Sequence, residues 1–522
     1  MERFRHPSLA ARVRPANPHP IRETGDYVLY WMQLYRRLRW NHALDYAIES
    51  AANLGKPLVI YEGLKRSYPW ANARLSQFML EGMRDTARDA AQLGVTIWQF
   101  VEGSPDHENN RPAWFHPDGR GLVRHLAAKA CLVVTDDYPM YIVPEQSLAL
   151  AQKTDTAVHL VDGNSIIPLA NLGDPVGAAA HMRPRIHRQF AEHWPHGPIA
   201  EPVLPAVVRQ AVPAPFPTWT PPEDLPRLVQ SIGVDPTVPA VANIPGGREA
   251  GLAHLREFVR KRLTRYAEER SIPDSLQRTA ASGLSPYLRH GHVSIHEIVS
   301  AVLNHRGNWS VDQINFKNRN KREGFYCDDA DVNSFLDEAI TWRDLGYHWH
   351  RHRRTDIRSL QTALPDWAYA TLHRHSTDRR AHVYTREQWE HADTHDHIWN
   401  AAQRELVATG RIHNYLRMLW GKKVLEWSAS PEEAYQTLEY LNNKYALDGR
   451  DPNSYSGILW TFGLFDRPWP PERQVFGNIR YMSSENTAKK FKLGPYLDWV
   501  RSLPTIGQVH RGVTSLTPAT LF

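Results

Sequence analysis

The stretch from Thr394 to Met482 concentrates residue types able to do chemistry. Trp420 and Trp427 are seven apart, which on one helix puts them on the same face, about 10.5 Å apart along the axis. Trp399 belongs to the preceding helical pattern, closed by Gly410, and falls between or beside them if the two helices pack antiparallel. Such a row of indoles suits stepwise electron hopping, and it equally suits plain core packing. Asn414 and Arg417 share the face of Trp420 and form a donor-rich patch for a heteroaromatic ring or an anion, although Arg417 by itself would serve as an ordinary ion-pair residue. Upstream, Ser282, Gly283, Leu284 and Ser285 precede Pro286. Small residues with free backbone N–H groups at a helix start suit a phosphate, or no more than an N-cap. Glu338 and Trp342 stand at i and i+4, which sets a carboxylate beside a large flat ring. Amid apolar neighbours that carboxylate needs a partner.

These side chains need a frame. From Asp26 to about Leu172, short apolar runs (DYVLYWMQL, KPLVIYEG, VTIWQFVE, CLVVTDDYP, TAVHLVDG) alternate with helical patterns such as NHALDYAIESAANLG. That alternation predicts right-handed crossovers and a parallel sheet of five strands, Rossmann-like, with any ligand at the carboxyl ends of the strands. No GxGxxG follows the first strand, so the dinucleotide fingerprint is absent there. The next text is rich in proline (WPHGPIAEPVLPAVVRQAVPAPFPTWTPPEDLPRL), which blocks helix interiors and central strands and predicts an extended linker packed along the surface. After Gly246 and Gly247 the pattern is helical to the end, beginning with GREAGLAHLREFVRKRLTRYAEERS. The predicted organisation is an α/β domain over 26–190, a linker over 191–245 and an all-α domain over 246–510.

A chain of 522 residues buries large cores without staples. Its two cysteines, Cys131 and Cys327, lie far apart with no CxxC partner, which argues against a zinc ribbon, an iron–sulfur cluster or a secreted disulfide scaffold. No metal is expected. No run of about 18 uncharged apolar residues occurs, so the expectation is a cytoplasmic protein that does not span a membrane. The net charge of +6 permits nucleic-acid binding without demanding it. Tryptophan is costly to cluster outside a core, and 18 of them, many beside Arg, Asn and Asp, suggest stacking or electron transfer as well as packing.

Taken together, YVLYWMQ, GLSPYL, WAYATLHRHSTDRR, THDHIWNAAQREL, IHNYLRMLWGKKVLEWSASPEEA, LNNKYALDGRDPNSYSG and VFGNIRYM resemble the photolyase/cryptochrome family, specifically the class II cyclobutane pyrimidine dimer photolyases. The resemblance runs from about Tyr27 to Val500, and its C-terminal half is the more specific. It implies an antenna-type α/β domain joined to a helical domain holding FAD, fully reduced when active, and a monomer acting on DNA that contains pyrimidine dimers. It implies that Ser282, Gly283, Leu284 and Ser285 hold phosphate, with Tyr266 a further contact. Asn414 and Arg417 would meet the flavin, Asp448 would partner the arginine, and the Asn442 amide would face flavin N5. Trp420, Trp399 and Trp427 match the electron-transfer triad that photoreduces the flavin. Glu338 and Trp342 match the carboxylate and stacking ring of the lesion pocket, with Met418, Trp460, Arg467 and Trp469 on its DNA-facing side.

The chain also departs from the family. The first crossover reads YRRLRWNHALDYA, with Trp40 in an unexpected place, so a second antenna chromophore of deazaflavin type is an open expectation. Asp344 stands where a glutamate is usual. The run from His348 to Arg354 reads as a second DNA-contacting patch or as a solvated loop. Only a short end follows Val500, which argues against a long signalling extension. The leading expectation is light-driven splitting of cyclobutane pyrimidine dimers. The alternatives are a flavin blue-light photoreceptor without repair activity, or a lyase for the (6-4) photoproduct.

Overall fold

The run YVLYWM is apolar throughout, the pattern of a strand covered on both faces, and it forms the middle of the N-terminal sheet. In the computed structural model, which describes residues 7–108 and 111–513, the strands are β1 (Val13–Pro15), β2 (Tyr27–Met32), β3 (Leu58–Leu64), β4 (Thr96–Val101), β5 (Ala130–Asp136) and β6 (Ala157–Val161). Their order is β1-β6-β5-β2-β3-β4. β2 pairs in parallel with β3 and β5, β3 with β4, and β5 with β6. The sheet is therefore six-stranded and mixed, not five-stranded and parallel, because β1 joins β6 antiparallel with Val13 opposite Val161. Three residues ending in a proline carry no readable period, and an edge position tolerates that proline.

Helices His42–Leu54 and Ala73–Leu93 make the first two crossovers. Asn41 caps the first, accepting from the backbone of Ala43 and Leu44, and the preceding Trp40 takes φ +53°. The Arg37 guanidinium holds the Trp40 carbonyl from Nε and Nη2 at 3.1 and 3.0 Å, which stabilises that turn. Residues 197–224 form neither helix nor strand. They do more than lie on the surface: Val208, Phe216 and Trp219 are buried, and the backbone bonds from Leu58 to Val208 and from Trp219 to Gln99 seat the segment on the α/β half.

From Arg248 to His510 the chain is helical with irregular connections. A π turn, Asp337–Trp342, runs directly into the helix Arg343–Arg353. The helix Pro452–Thr461 packs against it, and His397–Thr409, Asn414–Trp427 and Pro431–Tyr445 pack beside one another behind that helix. Buried polar contacts clamp the two halves. Arg183 forks onto Asp337 at 2.7 and 3.0 Å, Tyr138 and Tyr347 both donate to Asp451 Oδ2 at 2.8 Å, and Arg74 caps the carbonyls of Val407 and Tyr445.

The run from His348 to Arg354 is neither a DNA patch nor a loop over its first half. His348, Trp349 and His350 are buried in the helix, and Arg351 pairs with Asp137 of the α/β half at 3.2 Å. Asp344 is also internal, accepting from Ser165 Oγ at 2.9 Å, and burial pushes its carboxyl up to about 7 despite Arg343. After Val500 a short helix, Ile506–His510, follows, and the remainder of the C-terminal end, residues 514–522, lies outside the described residues. Among the described residues no helix is long and apolar enough to cross a membrane.

Candidate active site

Helix geometry carries the chemistry-bearing residues toward two adjoining cavities in the helical half. The larger encloses about 590 Å³ and the smaller about 260 Å³. Tyr266, Ser282, Ser285, Asn414, Arg417 and Asp448 line both. Gly283 belongs to the smaller, Leu284 to the larger. Glu338 lies at their junction, and Trp342, Met418 and Trp460 line the larger one beyond it. Residues separated by nearly two hundred positions thus address one space.

The first end of that space gathers cations around a close-packed backbone. Gly283 has φ +70°, and a Cβ there would come within 2.5 Å of His254 Nε2 and 2.8 Å of both terminal nitrogens of Arg411. Only a glycine brings the backbone flush against that guanidinium. Arg417 donates to the two Asp448 oxygens at 3.1 and 3.3 Å, and Ser285 Oγ donates to Asp448 at 2.8 Å. Burial pushes the Asp448 carboxyl up, but Arg417, Ser285 and Arg411 together hold it below the usual carboxylate range. Arg417 Nε and Ser456 Oγ are buried with no hydrogen-bond partner among the described residues, and both residues face the larger cavity. Cationic donors, a backbone cradle and unsatisfied polar atoms fit a flavin dinucleotide, with its phosphates, ring heteroatoms and negative charge when reduced.

The far end combines a carboxyl with flat rings. Glu338 and Trp342 both lie in the π turn Asp337–Trp342, whose i→i+5 hydrogen bonding is frequent at functional sites. Glu338 pairs with Arg270 at 2.7 Å. Burial raises its carboxyl pKa, against the pull of Arg270. Trp460 is braced from behind by Lys422, whose Nζ lies 4.6 Å from the ring centroid and donates to the Thr461 carbonyl at 2.6 Å. Burial lowers that ammonium pKa to about 7. Arg480 lines the cavity, is held by Asp466, and sits 3.9 Å from the Trp469 ring and 5.8 Å from the Trp460 ring.

Besides Trp399, Trp420 and Trp427, three expected residues stand off the walls. Asn442 lines neither cavity; its amide donates at 2.6 Å to Ser454 Oγ, which is on the wall. Arg467 is exposed outside the cavity with its guanidinium 4.5 Å from the Trp469 ring, so Trp469 meets the site through Arg480. Arg270, Arg411, Ser454 and Arg480 were not singled out from the sequence, where an isolated arginine or serine has no distinguishing spacing.

The tryptophans form a continuous path. Trp420 and Trp399 stack with centroids 6.4 Å apart and planes 7° from parallel. Trp420 Nε1 donates to Gln403 and Trp399 Nε1 to the Trp420 carbonyl, at 2.9 and 3.0 Å. Trp399 meets Trp389 at 4.7 Å, and Trp389 stacks on Trp427 at 6.2 Å and 7°. Trp389 was not anticipated; it lies on the short helix Arg386–Glu390, outside the heptad pair.

A second large cavity, about 620 Å³, opens at the carboxyl ends of β2 and β3, bordered by Trp31, Gly63 and Phe100 and by Lys65, Arg120 and Arg124.

Comparison with known proteins matches this architecture. No family model matches the chain. A deoxyribodipyrimidine photo-lyase of Methanothermobacter thermautotrophicus is 32% identical over 95% of this chain and 99% of its own length. One of Oryza sativa subsp. japonica is 33% identical over 94% of this chain and 91% of its own. Among solved structures, a class III photolyase from Agrobacterium tumefaciens superposes with TM-score 0.63 at 18% identity, covering 95% of this chain and 91% of that one. An archaeal photolyase from Sulfolobus tokodaii with two FAD molecules superposes with TM-score 0.56 at 14% identity, covering 94% of each. With this fold, this site and relatives of that identity over nearly the full length, the chain belongs to the photolyase/cryptochrome family.

Proposed function

We propose that the chain is a light-driven DNA repair lyase that splits cyclobutane pyrimidine dimers with FAD bound across the two adjoining cavities. One observation carries this reading: Glu338, Trp342, Met418 and Trp460 line the same cavity as Ser285, Asn414, Arg417 and Asp448, so lesion-binding and flavin-binding residues share one space. A photoreceptor without repair activity has no use for the first set. The relatives named deoxyribodipyrimidine photo-lyase support the same reaction class.

Reduced FAD, when bound, supplies a light-excited electron to the lesion. The chain's own residues bind, orient and polarise. Ser282–Ser285 and Arg411 receive phosphates, and Arg417, kept in place by Asp448, offers its positive charge to an anionic ring. Asn442 reaches the cavity wall through Ser454. Trp342 and Trp460 clasp a flipped, cross-linked pyrimidine pair by stacking. Glu338, whose carboxyl pKa burial raises against the pull of Arg270, stands where a carboxyl meets a pyrimidine carbonyl that gains charge, and it serves as donor there once the lesion displaces water and it takes up a proton. Arg467 and Arg480, with Trp469 between them, meet the DNA backbone. Among the described residues no histidine lines the larger cavity, and His413 lines only the smaller one, which favours the dimer over the (6-4) photoproduct, whose reversal moves a proton as well as an electron. The 620 Å³ cavity, bordered by Lys65, Arg120 and Arg124, supports the reading of a second, anionic light-harvesting chromophore on the α/β half.

The test is loss of cyclobutane thymine dimers from an ultraviolet-treated oligonucleotide under blue light, with FAD-loaded protein, a dark control and Glu338→Ala. Light-dependent loss that drops about a hundredfold in the variant is expected for removal of one transition-state donor. Intact dimers beside a photoreducible flavin would sink the repair reading in favour of the photoreceptor.

A further inference from the structure

We propose that Trp389 is a fourth redox-active tryptophan, an internal relay through which electrons pass from Trp427 to Trp399. The proposal rests on the reading above that Trp420, Trp399 and Trp427 photoreduce a bound flavin. The ring contacts run Trp420 to Trp399 at 6.4 Å, Trp399 to Trp389 at 4.7 Å and Trp389 to Trp427 at 6.2 Å. The shortest of the three steps is one that Trp389 makes, and its ring lies nearly parallel to that of Trp427. Electronic coupling between rings falls steeply with separation, so an indole touching both neighbours dominates any path across the space it fills.

Packing alone gives a poor account of this side chain. Trp389 is fully buried, at 0% exposure, and its Nε1–H has no hydrogen-bond partner among the described residues. A buried donor left without an acceptor costs stability, and phenylalanine or leucine would fill the position without that cost. What the indole adds over those residues is a ring that is easily oxidised. The short helix that carries it is held by a complete capping box, with Thr385 and Gln388 satisfying one another's backbone. The ring is thus seated, not mobile.

The missing acceptor also defines the role. Trp420 and Trp399 each donate Nε1–H to an oxygen, which stabilises a positive charge on the ring. A hole on Trp389 has no such support and no base to take its proton, so it moves on without deprotonating. Outward lies Trp427, flanked by His395 at 4.6 Å and Tyr384 at 6.1 Å. In each cycle one electron passes from Trp427 to Trp389, from there to Trp399, then to Trp420 and to the light-excited flavin. An external thiol restores Trp427 by giving up one electron and releasing its proton to water. The net change is one electron gained by the flavin and one lost by the thiol.

The experiment is flash photolysis of the full-length, FAD-loaded protein with dithiothreitol, comparing wild type with Trp389→Phe, Trp427→Phe and Trp420→Phe. Expected are unchanged FAD content in Trp389→Phe, an unchanged prompt loss of an electron from Trp420, and a several-fold faster charge recombination with a matching fall in photoreduction. A fluorinated tryptophan at position 389, which keeps the shape and raises the oxidation potential, gives the same faster recombination and the same fall in photoreduction without a packing change. The flavin–tryptophan radical-pair separation from electron spin echo differs between Trp427→Phe, where the hole stops at Trp389, and Trp389→Phe, where it stops at Trp399. Equal separations, or wild-type recombination with either change at position 389, would overturn the relay and leave the triad intact. Wild-type photoreduction in Trp420→Phe would instead overturn the reading on which the relay depends.

Discussion

Glu338 illustrates what a single side chain can and cannot announce. Its acidity amid apolar neighbours signalled a need for a partner, and Arg270 at 2.7 Å is that partner, from a part of the chain that no spacing rule connects to it. Trp460 shows the same limit. Its type was legible, but the ammonium of Lys422 behind the ring is a consequence of packing between two helices. Stacking on one aromatic ring contributes about 1–3 kcal/mol per base. Trp460→Ala is therefore expected to weaken binding of a dimer-containing oligonucleotide roughly tenfold to a hundredfold, with little change for undamaged duplex. Fluorescence anisotropy on the two DNAs measures the difference, and equal losses on both would remove Trp460 from the lesion pocket.

The site is assembled by helical elements whose ends were partly readable. Gly410 closes the helix His397–Thr409 in the left-handed conformation, φ +70°, as its place after a helical run led one to expect. Asp396 caps the other end, accepting from Ile398 and Trp399. Asp396→Ala should lower stability by about 1 kcal/mol, read as a reduced midpoint in denaturant at unchanged slope. The π turn was not readable, since one residue more per turn leaves no mark on a helical hydrophobic pattern, and its Asp337 is gripped from outside. Arg183, from the helix Ala179–His193, forks onto Asp337 with both side chains buried. Arg183→Ala leaves that carboxylate buried with the exposed Arg322 as its one remaining ion-pair partner among the described residues, at a cost of about 3–5 kcal/mol. Because Glu338 is the next residue, the same variant should also lose repair activity beyond what its stability explains. Thermal melts and turnover measured well below the melting temperature separate the two effects.

At the scale of the whole molecule, histidine burial sets the acid limit of stability. His187, His292, His348 and His350 are buried, and burial first of all lowers their pKa values to about 3 or 4. The unfolded chain takes up these protons near pH 6.5 and the folded chain does not. Their contribution is thus complete above about pH 6.5 and is lost progressively as the pH falls toward 4, by up to ~1.4 kcal/mol per pH unit for each histidine. A melting temperature that is flat from pH 8 to 7 and drops steeply between 6 and 5 is expected; a flat profile down to pH 5 would contradict these burials. Affinity for DNA should fall as salt rises, because phosphate contacts release counterions, and Arg467→Ala should reduce that slope by about one unit. The sequence by itself determined an α/β half with parallel crossovers, a proline-rich connection, a helical half, and a set of candidate residues of which most line the two adjoining cavities. Those properties follow from local rules: hydrophobic period, capping chemistry and the spacing of residues along one helix. Only the tertiary structure decided that β1 completes the sheet, that His348, Trp349 and His350 turn inward, that Asn442 bonds Ser454 and does not line the cavity, and that Trp389 touches both Trp399 and Trp427. Each of these depends on contacts between segments far apart in the chain, where burial and partner choice are properties of the packed molecule and leave no periodic trace in the text.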